Sequence, residues 1–149
     1  MIKHGFMHEI ANLLENNKNT YLLLIDVIDF IKFNEDYGFR VGDFALHEAV
    51  KRISEGANEN MTIFTLAGDE WILFSQLENY DKVEEFAQNI LQNNERTMKY
   101  KGFNVKLQLR VAVVNTDYID HRNAVFAMRD LDSCMNKLKK ISDNYLYLN

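Results

Sequence analysis

Two acidic side chains stand beside a small-residue turn in Thr65-Leu66-Ala67-Gly68-Asp69-Glu70-Trp71. The β-branched and aromatic run Met61-Thr62-Ile63-Phe64 precedes this turn and Trp71-Ile72-Leu73-Phe74 follows it, a pattern that predicts a hairpin with carboxylates at its tip. Such a tip leaves the acids open to solvent and ligand while the flanking strands hold them firmly enough for metal coordination. A Gly-Asp pair that merely makes the turn is the structural alternative. What favours chemistry is another acid far upstream, Asp26, which ends the apolar run Tyr21-Leu22-Leu23-Leu24-Ile25. If the two strands are neighbours, Asp26, Asp69 and Glu70 converge on one sheet edge, where they repel one another unless a cation sits among them. Hard oxygen ligands select Mg²⁺ or Mn²⁺, and metal-bridged carboxylates suit nucleotidyl transfer.

The elements that must position these acids follow from periodicity. Phe6, Ile10, Leu13 and Leu14 fall at helical spacing before Asn17-Lys18-Asn19. The continuous apolar run from Tyr21 to Val27 predicts a strand buried on both faces. A short helix is expected from Phe30 to Tyr37, stopping at Gly38, and a longer one from about Gly42-Asp43 to Gly56. After the acidic hairpin, the pattern predicts a helix over Tyr80 to Met98, a strand over Phe103 to Val114, a last helix over Asn123 to Ile141 and a closing edge strand over Tyr145 to Leu148. The order αβααββαβαβ predicts an α/β or α+β layer fold, with helices packed on one sheet.

A chain of 149 residues with 47% hydrophobic content suits one globular domain spanning residues 1–149. The net charge of −5 and the lack of a basic run argue against a protein that grips nucleic acid through its phosphates. Cys134 is the single cysteine, which makes a reducing compartment, the cytoplasm, the expected location. No signal-peptide pattern opens the chain, and its apolar runs are too short to span a bilayer, so no membrane anchor is expected. The spacing of His4, His8, His47 and His121 does not suggest a zinc site.

Taken in order, Asp26-Val27, Asn34-Glu35-Asp36-Tyr37-Gly38, Gly42-Asp43 and Ala67-Gly68-Asp69-Glu70-Trp71 resemble the GGDEF family of diguanylate cyclases, from about Phe6 to Asn144. The resemblance implies a palm-like nucleotidyl cyclase fold with a central, mostly antiparallel sheet. It also implies one GTP per protomer and two facing protomers that make cyclic di-GMP. Carried over by position, it places Mg²⁺ or Mn²⁺ on Asp26 and Asp69 with the Val27 carbonyl as a further ligand, and it has Glu70 assist the metal and the 3′-hydroxyl. Asn34 and Asp43 match residues that hydrogen-bond the guanine edge, Lys139 matches a triphosphate contact, and Gly68 matches a close approach of backbone to phosphate.

Several positions depart from the family pattern. Ala67 replaces the first Gly of the signature and Trp71 its Phe, while Ile28 stands for the second acid of the usual Asp-x-Asp and Asp29 for an aromatic. Ile31 occupies the place of a phosphate-binding Lys, and the neighbouring Lys32 points elsewhere by roughly 100° on a helix. Asp143 takes the place of an Arg, and a carboxylate there repels a triphosphate. Asn58 and Met61 replace the inhibitory Arg-x-x-Asp, so product feedback is not expected.

The chain is also similar to the stand-alone minimal CRISPR-type polymerase, which shares the palm and its metal acids and is linked to ATP-derived cyclic nucleotides in antiphage defence. Base choice separates the two expectations. Guanine offers two donors to a carboxylate such as Asp43, which fits guanine better, although an Asp at a helix start also serves as an N-cap. A third expectation is a catalytically silent domain that binds a nucleotide or a partner. Asn34 has a structural alternative in ending its helix, and Lys139 has one in answering a helix dipole.

Overall fold

The computed structural model describes residues 4–76, 79–117, 122–141 and 144–148. Its centre is β1 (Tyr21–Val27), buried along its whole length. In the five-stranded sheet β1 lies between β3 (Glu70–Ser75) and β6 (Leu109–Asn115). The outer strands are β2 (Met61–Ala67) beside β3 and β7 (Tyr145–Leu148) beside β6, giving the order β2-β3-β1-β6-β7. Among the described residues the sheet's pairings are antiparallel except β6 with β7.

Alternation along β1 explains its apolar composition. Tyr21, Leu23, Ile25 and Val27 face α2 (Phe30–Tyr37), α3 (Phe39–Gly56) and α4 (Tyr80–Gln92), whose Phe33, Ala49, Ile53, Phe86 and Ile90 complete one core layer. Leu22 and Leu24 face the other way, where α1 (His4–Asn16) and α5 (Ala124–Leu138) contribute Ile10, Leu14, Met128 and Leu131. The result is a mixed α+β, palm-like arrangement with helices on both faces of an antiparallel-dominated sheet.

Local sequence sets the boundaries. Asn79 caps α4 by accepting a hydrogen bond from the Lys82 N–H, and Asn123 caps α5 by accepting from those of Val125 and Phe126. Between α2 and α3 the chain turns at Gly38, whose φ of 88° and ψ of 163° suit glycine alone. That turn lets α3 begin at Phe39, earlier than the expected start near Gly42-Asp43.

Two further segments differ from expectation. The helix predicted to reach Met98 ends at Gln92; a 3-10 turn over Asn93–Glu95 follows, and β4 (Thr97–Tyr100) pairs with β5 (Phe103–Lys106) in a separate hairpin. Lys101 and Gly102 have φ of 47° and 87°, the two-residue turn whose twist matches a hairpin. The predicted strand Phe103 to Val114 is therefore two strands, β5 and β6. Asn94 pins the 3-10 turn to the start of β6. Its amide donates to the Leu109 carbonyl at 2.9 Å and accepts from the Leu109 N–H at 2.9 Å, replacing backbone pairing with a buried side chain.

Candidate functional site

Sheet register assembles the site. Asp26 lies opposite Glu70 on β3 and opposite Arg110 on β6, so period-2 alternation puts all three side chains on the face that also holds α1 and α5. The hairpin tip is fastened to β1 by a hydrogen bond from the Val27 N–H to the Asp69 carbonyl at 3.2 Å. On the other side the Ile28 N–H donates to the Gln108 carbonyl at 2.9 Å, which ties the end of β1 to the lead into β6. The expected convergence of Asp26, Asp69 and Glu70 at one sheet end is thus present. A one-residue bulge between Thr65 and Ala67 sets the tip, because Thr65 pairs with Trp71 while Ala67 pairs with Glu70.

Asp26 is buried, with 5% of its side chain exposed, and both of its oxygens are engaged. Arg110 Nε donates to Oδ1 at 3.0 Å and Nη2 to Oδ2 at 3.1 Å, a two-pronged pair, and Lys139 Nζ lies 3.7 Å from Oδ2. Burial raises the Asp26 carboxyl above the ordinary carboxylate value, against the opposing pull of Arg110 and Lys139. Glu70 is raised as well, first by burial and then by the charges of Asp69 and Asp26.

Beside these groups lies a cleft of ≈ 700 Å³ whose walls include Asp26, Val27, Asp69, Arg110 and Lys139, with Phe30, Ile31 and Lys32 from α2. Glu70 lines a different cleft, ≈ 750 Å³, between the hairpin and the α1/α5 layer, together with Leu66, Met128, Arg129 and Asp132. The three acids therefore share one sheet end but open on two sides of it.

The other expected residues fall into place unevenly. Lys139, at the C-terminus of α5, reaches Asp26, so it enters the site as well as answering the helix end. Asn34 ends α2 through its backbone, accepting from the Gly38 N–H at 2.8 Å, while its side-chain Oδ1 is buried without a hydrogen-bond partner among the described residues. Asn34 rests against Gly42 of α3, where a Cβ would stand 1.9 Å from Oδ1. Asp43 is exposed in the second turn of α3, not at its start, so the N-cap alternative is set aside. Neither Asn34 nor Asp43 is among the cleft residues that surround Asp26. Gly68 is exposed, and a Cβ there would meet nothing within 4 Å. Ile31 is 79% exposed on the cleft wall, and Lys32 pairs with Asp36 of its own helix at 3.0 Å, as its angular position predicts. Asp143, His121 and the side chain of His4 lie outside the described residues.

Arg110 is the residue that sequence reasoning missed. Its signal was a lone cation in Leu107-Gln108-Leu109-Arg110-Val111, where alternation sends it to the same face as Asp26 once the strands pair.

The donor set fits Mg²⁺ or Mn²⁺ in kind: Asp26 and Asp69 are hard oxygen ligands at one sheet end, and Val27 offers a backbone carbonyl. Among the described residues no three His, Cys, Asp or Glu side chains converge closely enough to hold an ion by themselves. An ion here would complete its shell with phosphate and water oxygens, the usual habit of Mg²⁺.

Residues 1–145 match the family described as "Diguanylate cyclase, GGDEF domain". The chain is 22% identical over 146 residues to "Uncharacterized membrane protein SH2145" of Staphylococcus haemolyticus, covering 96% of this chain and 41% of that protein. It is 20% identical over 94 residues to "Diguanylate cyclase VdcA" of Vibrio cholerae, covering 63% of this chain and 28% of that one. The chain thus spans less than half the length of either curated relative. Among the described residues no helix is long and apolar enough to cross a membrane. Among solved structures, the GGDEF domain of PA1120 (YfiN or TpbB) from Pseudomonas aeruginosa superposes with a TM-score of 0.84 at 22% identity, covering 100% of this chain and 98% of that one, a likeness of fold. With the family matched along nearly the whole chain, and the sheet order bringing the acidic tip against the end of β1, this chain belongs to the GGDEF domain family.

Proposed function

We propose that the chain acts as a single nucleotidyltransferase domain, which takes a nucleoside triphosphate into the Asp26 cleft and, with a second protomer, joins two nucleotides into a cyclic dinucleotide. The observation that carries this reading is the register alignment of Asp26 with Glu70, with the Asp69 backbone bonded to Val27, beside an open cleft that Lys139 reaches.

The mechanism follows from the residues. Lys139 and Arg110 answer phosphate charge along one wall of the cleft, and Gly68, with open space above its Cα, lets a phosphate approach the backbone. When bound, a Mg²⁺ or Mn²⁺ ion held by Asp26, Asp69 and the Val27 carbonyl supplies neutralisation of the charge that develops on the transferring phosphoryl group. In each transfer the 3′-oxygen of one nucleotide bonds the α-phosphorus of the other and pyrophosphate departs. Glu70 takes the hydroxyl proton, a role suited to a carboxylate whose proton affinity is raised by burial and by Asp69. Asn34 and Asp43 read the base, and guanine is favoured because exposed Asp43 is free of a capping role and accepts from two donors on one edge. One nucleotide per cleft makes a second protomer necessary, at least during turnover. The proposed compartment is the cytoplasm, on the strength of a lone, buried thiol.

A second reading, nucleotide binding without turnover, is favoured by one feature of the cleft: Ile31 puts an apolar side chain on a wall where Lys32 is already paired with Asp36. Incubation with Mg²⁺ or Mn²⁺ and each NTP, singly and in pairs, with mass spectrometry of the products, tests both. Cyclic di-GMP is the expected product, lost in Asp69→Asn. An adenylate product overturns the guanine assignment, and nucleotide binding without pyrophosphate release makes the second reading the correct one.

A further inference from the structure

We infer that Arg110 is a resident counter-ion for Asp26: it competes with a divalent cation for that carboxylate, and nucleotide phosphates draw the guanidinium away. The second half rests on the nucleotide reading above. The first half stands on geometry alone.

Arg110 does not reach Asp26 by chance of a long side chain. The two residues are register partners across β1 and β6, and their side chains are 12% and 5% exposed. The fork takes one bond to each carboxylate oxygen, at 3.0 and 3.1 Å, and Lys139 adds a second positive charge 3.7 Å from Oδ2. A divalent ion must come within about 2.1 Å of such an oxygen to bind it. It would then share a buried carboxylate with one or two fixed cations, an arrangement that like-charge repulsion disfavours in a poorly screened site. Cation binding to the free protein is therefore weak unless Arg110 turns away.

The cleft offers it somewhere to turn. Arg110 lines the same cavity as Asp69 and Lys139, and the remaining cation of that lining among the described residues, Lys32, is held by Asp36. A phosphate entering there meets a planar guanidinium whose fork suits two phosphate oxygens as well as it suits a carboxylate. Moving Arg110 from Asp26 to phosphate supplies an anion contact on a wall where Ile31 offers none, and it frees Asp26 for the ion that accompanies the nucleotide. Carboxylate, arginine, phosphate and cation thus exchange partners, so nucleotide and cation bind with positive coupling.

Manganese binding measured by electron paramagnetic resonance, without nucleotide, tests this on the native chain and on Arg110→Met. The substitution should raise Mn²⁺ affinity by about tenfold or more and weaken binding of a non-hydrolysable GTP analogue in EDTA by about tenfold. The gain in Mn²⁺ affinity should vanish in Asp26→Asn/Arg110→Met. Equal Mn²⁺ affinity in the native and Arg110→Met proteins overturns the inference. Should Arg110→Met fail to fold, Arg110→Lys keeps the charge and loses the fork; a Mn²⁺ affinity raised about threefold supports the inference, and no change overturns it. The Mn²⁺ measurement needs no nucleotide, so failure of the native protein to bind the analogue at any Mn²⁺ concentration counts against the proposed function and the phosphate half, while the cation data still decide the competition at Asp26.

Discussion

Replacing Gly42 with Ala perturbs Asn34, one of the two residues proposed to read the base, without altering either of them. A Cβ at this position would lie 1.9 Å from Asn34 Oδ1 and 3.0 Å from Asn34 Cγ, whereas Phe30 Cζ would stay at an ordinary 3.5 Å. Shifts of a few tenths of an ångström cannot absorb the first overlap, so the Asn34 side chain must swing out. For the fold this exchange is nearly balanced. Repacking costs about 1–3 kcal/mol. Against it, Ala gains about 1 kcal/mol over Gly inside a helix. An orphaned acceptor, Asn34 Oδ1, is also returned to water, which relieves about 1–3 kcal/mol. Stability should thus stay within about 1–2 kcal/mol of the native chain. Nucleotide binding is not balanced in this way, because under the proposed base-reading role the displaced amide would no longer meet the base. Losing one such hydrogen bond, worth about 0.5–1.5 kcal/mol, raises Kd by about two- to tenfold. Urea unfolding run beside titration of a fluorescent GTP analogue reads both quantities. A stability loss well above about 3 kcal/mol would refute the claim that Asn34 can leave its place beside Gly42. Unchanged GTP affinity in a stable variant would refute the base-reading role of Asn34.

Three other outcomes are expected. Arg110→Met leaves a buried carboxylate without its main partner and should lower stability by about 3–5 kcal/mol, most of it recovered in Asp26→Asn/Arg110→Met; denaturant midpoints check this. Because the folded-state proton affinity of Glu70 is raised, folding is favoured while the group is protonated, and that contribution is lost as pH rises from the ordinary carboxylate range through the raised value. Glu70→Gln should accordingly melt higher than the native chain at pH ~7 and no higher at pH ~4, as a pair of calorimetric scans would show. Gly68→Ala meets no atom within 4 Å among the described residues, so its unfolding free energy should change by no more than about 0.5 kcal/mol. The same variant should slow dinucleotide formation by as much as about a hundredfold if its methyl displaces the phosphate by about 1 Å.

Much of the candidate site's placement was legible in the sequence because its acids stand at punctuation marks. Asp26 closes an uninterrupted apolar strand, and Asp69 and Glu70 follow the small residues of a turn, so residue type and position agreed. What escaped was information that exists only between strands. Arg110 reads locally as the polar position of an alternating segment; its meaning depends on lying opposite Asp26, which one residue of slip would undo. Asn94 was similarly opaque, since an Asn near a helix end gives no hint that it bonds Leu109 on another strand. The β4–β5 hairpin was hidden by its turn, Lys101-Gly102, which lacks the Asn or Asp that usually announces a tight connection. The early start of α3 was hidden too, because Phe39-Arg40-Val41 shows no cap, and Gly38 supplies only a backbone angle.

The position of β1 between β3 and β6 also bears on how the chain is made. Arg110 follows Asp26 by 84 residues, and at synthesis rates of roughly 5–20 residues per second the carboxylate waits roughly 4–17 s for its counter-ion. Until β3 is made both edges of Leu22, Leu23, Leu24 and Ile25 are unclaimed, and from then until β6 is made one edge still is, the type of surface on which nascent chains associate wrongly. When β6 docks, it closes that edge and delivers the guanidinium in the same step. Closure of the β1 edge and neutralisation of its buried acid are therefore a single kinetic event, and a ribosome-bound intermediate lacking β6 should be the species most in need of a chaperone.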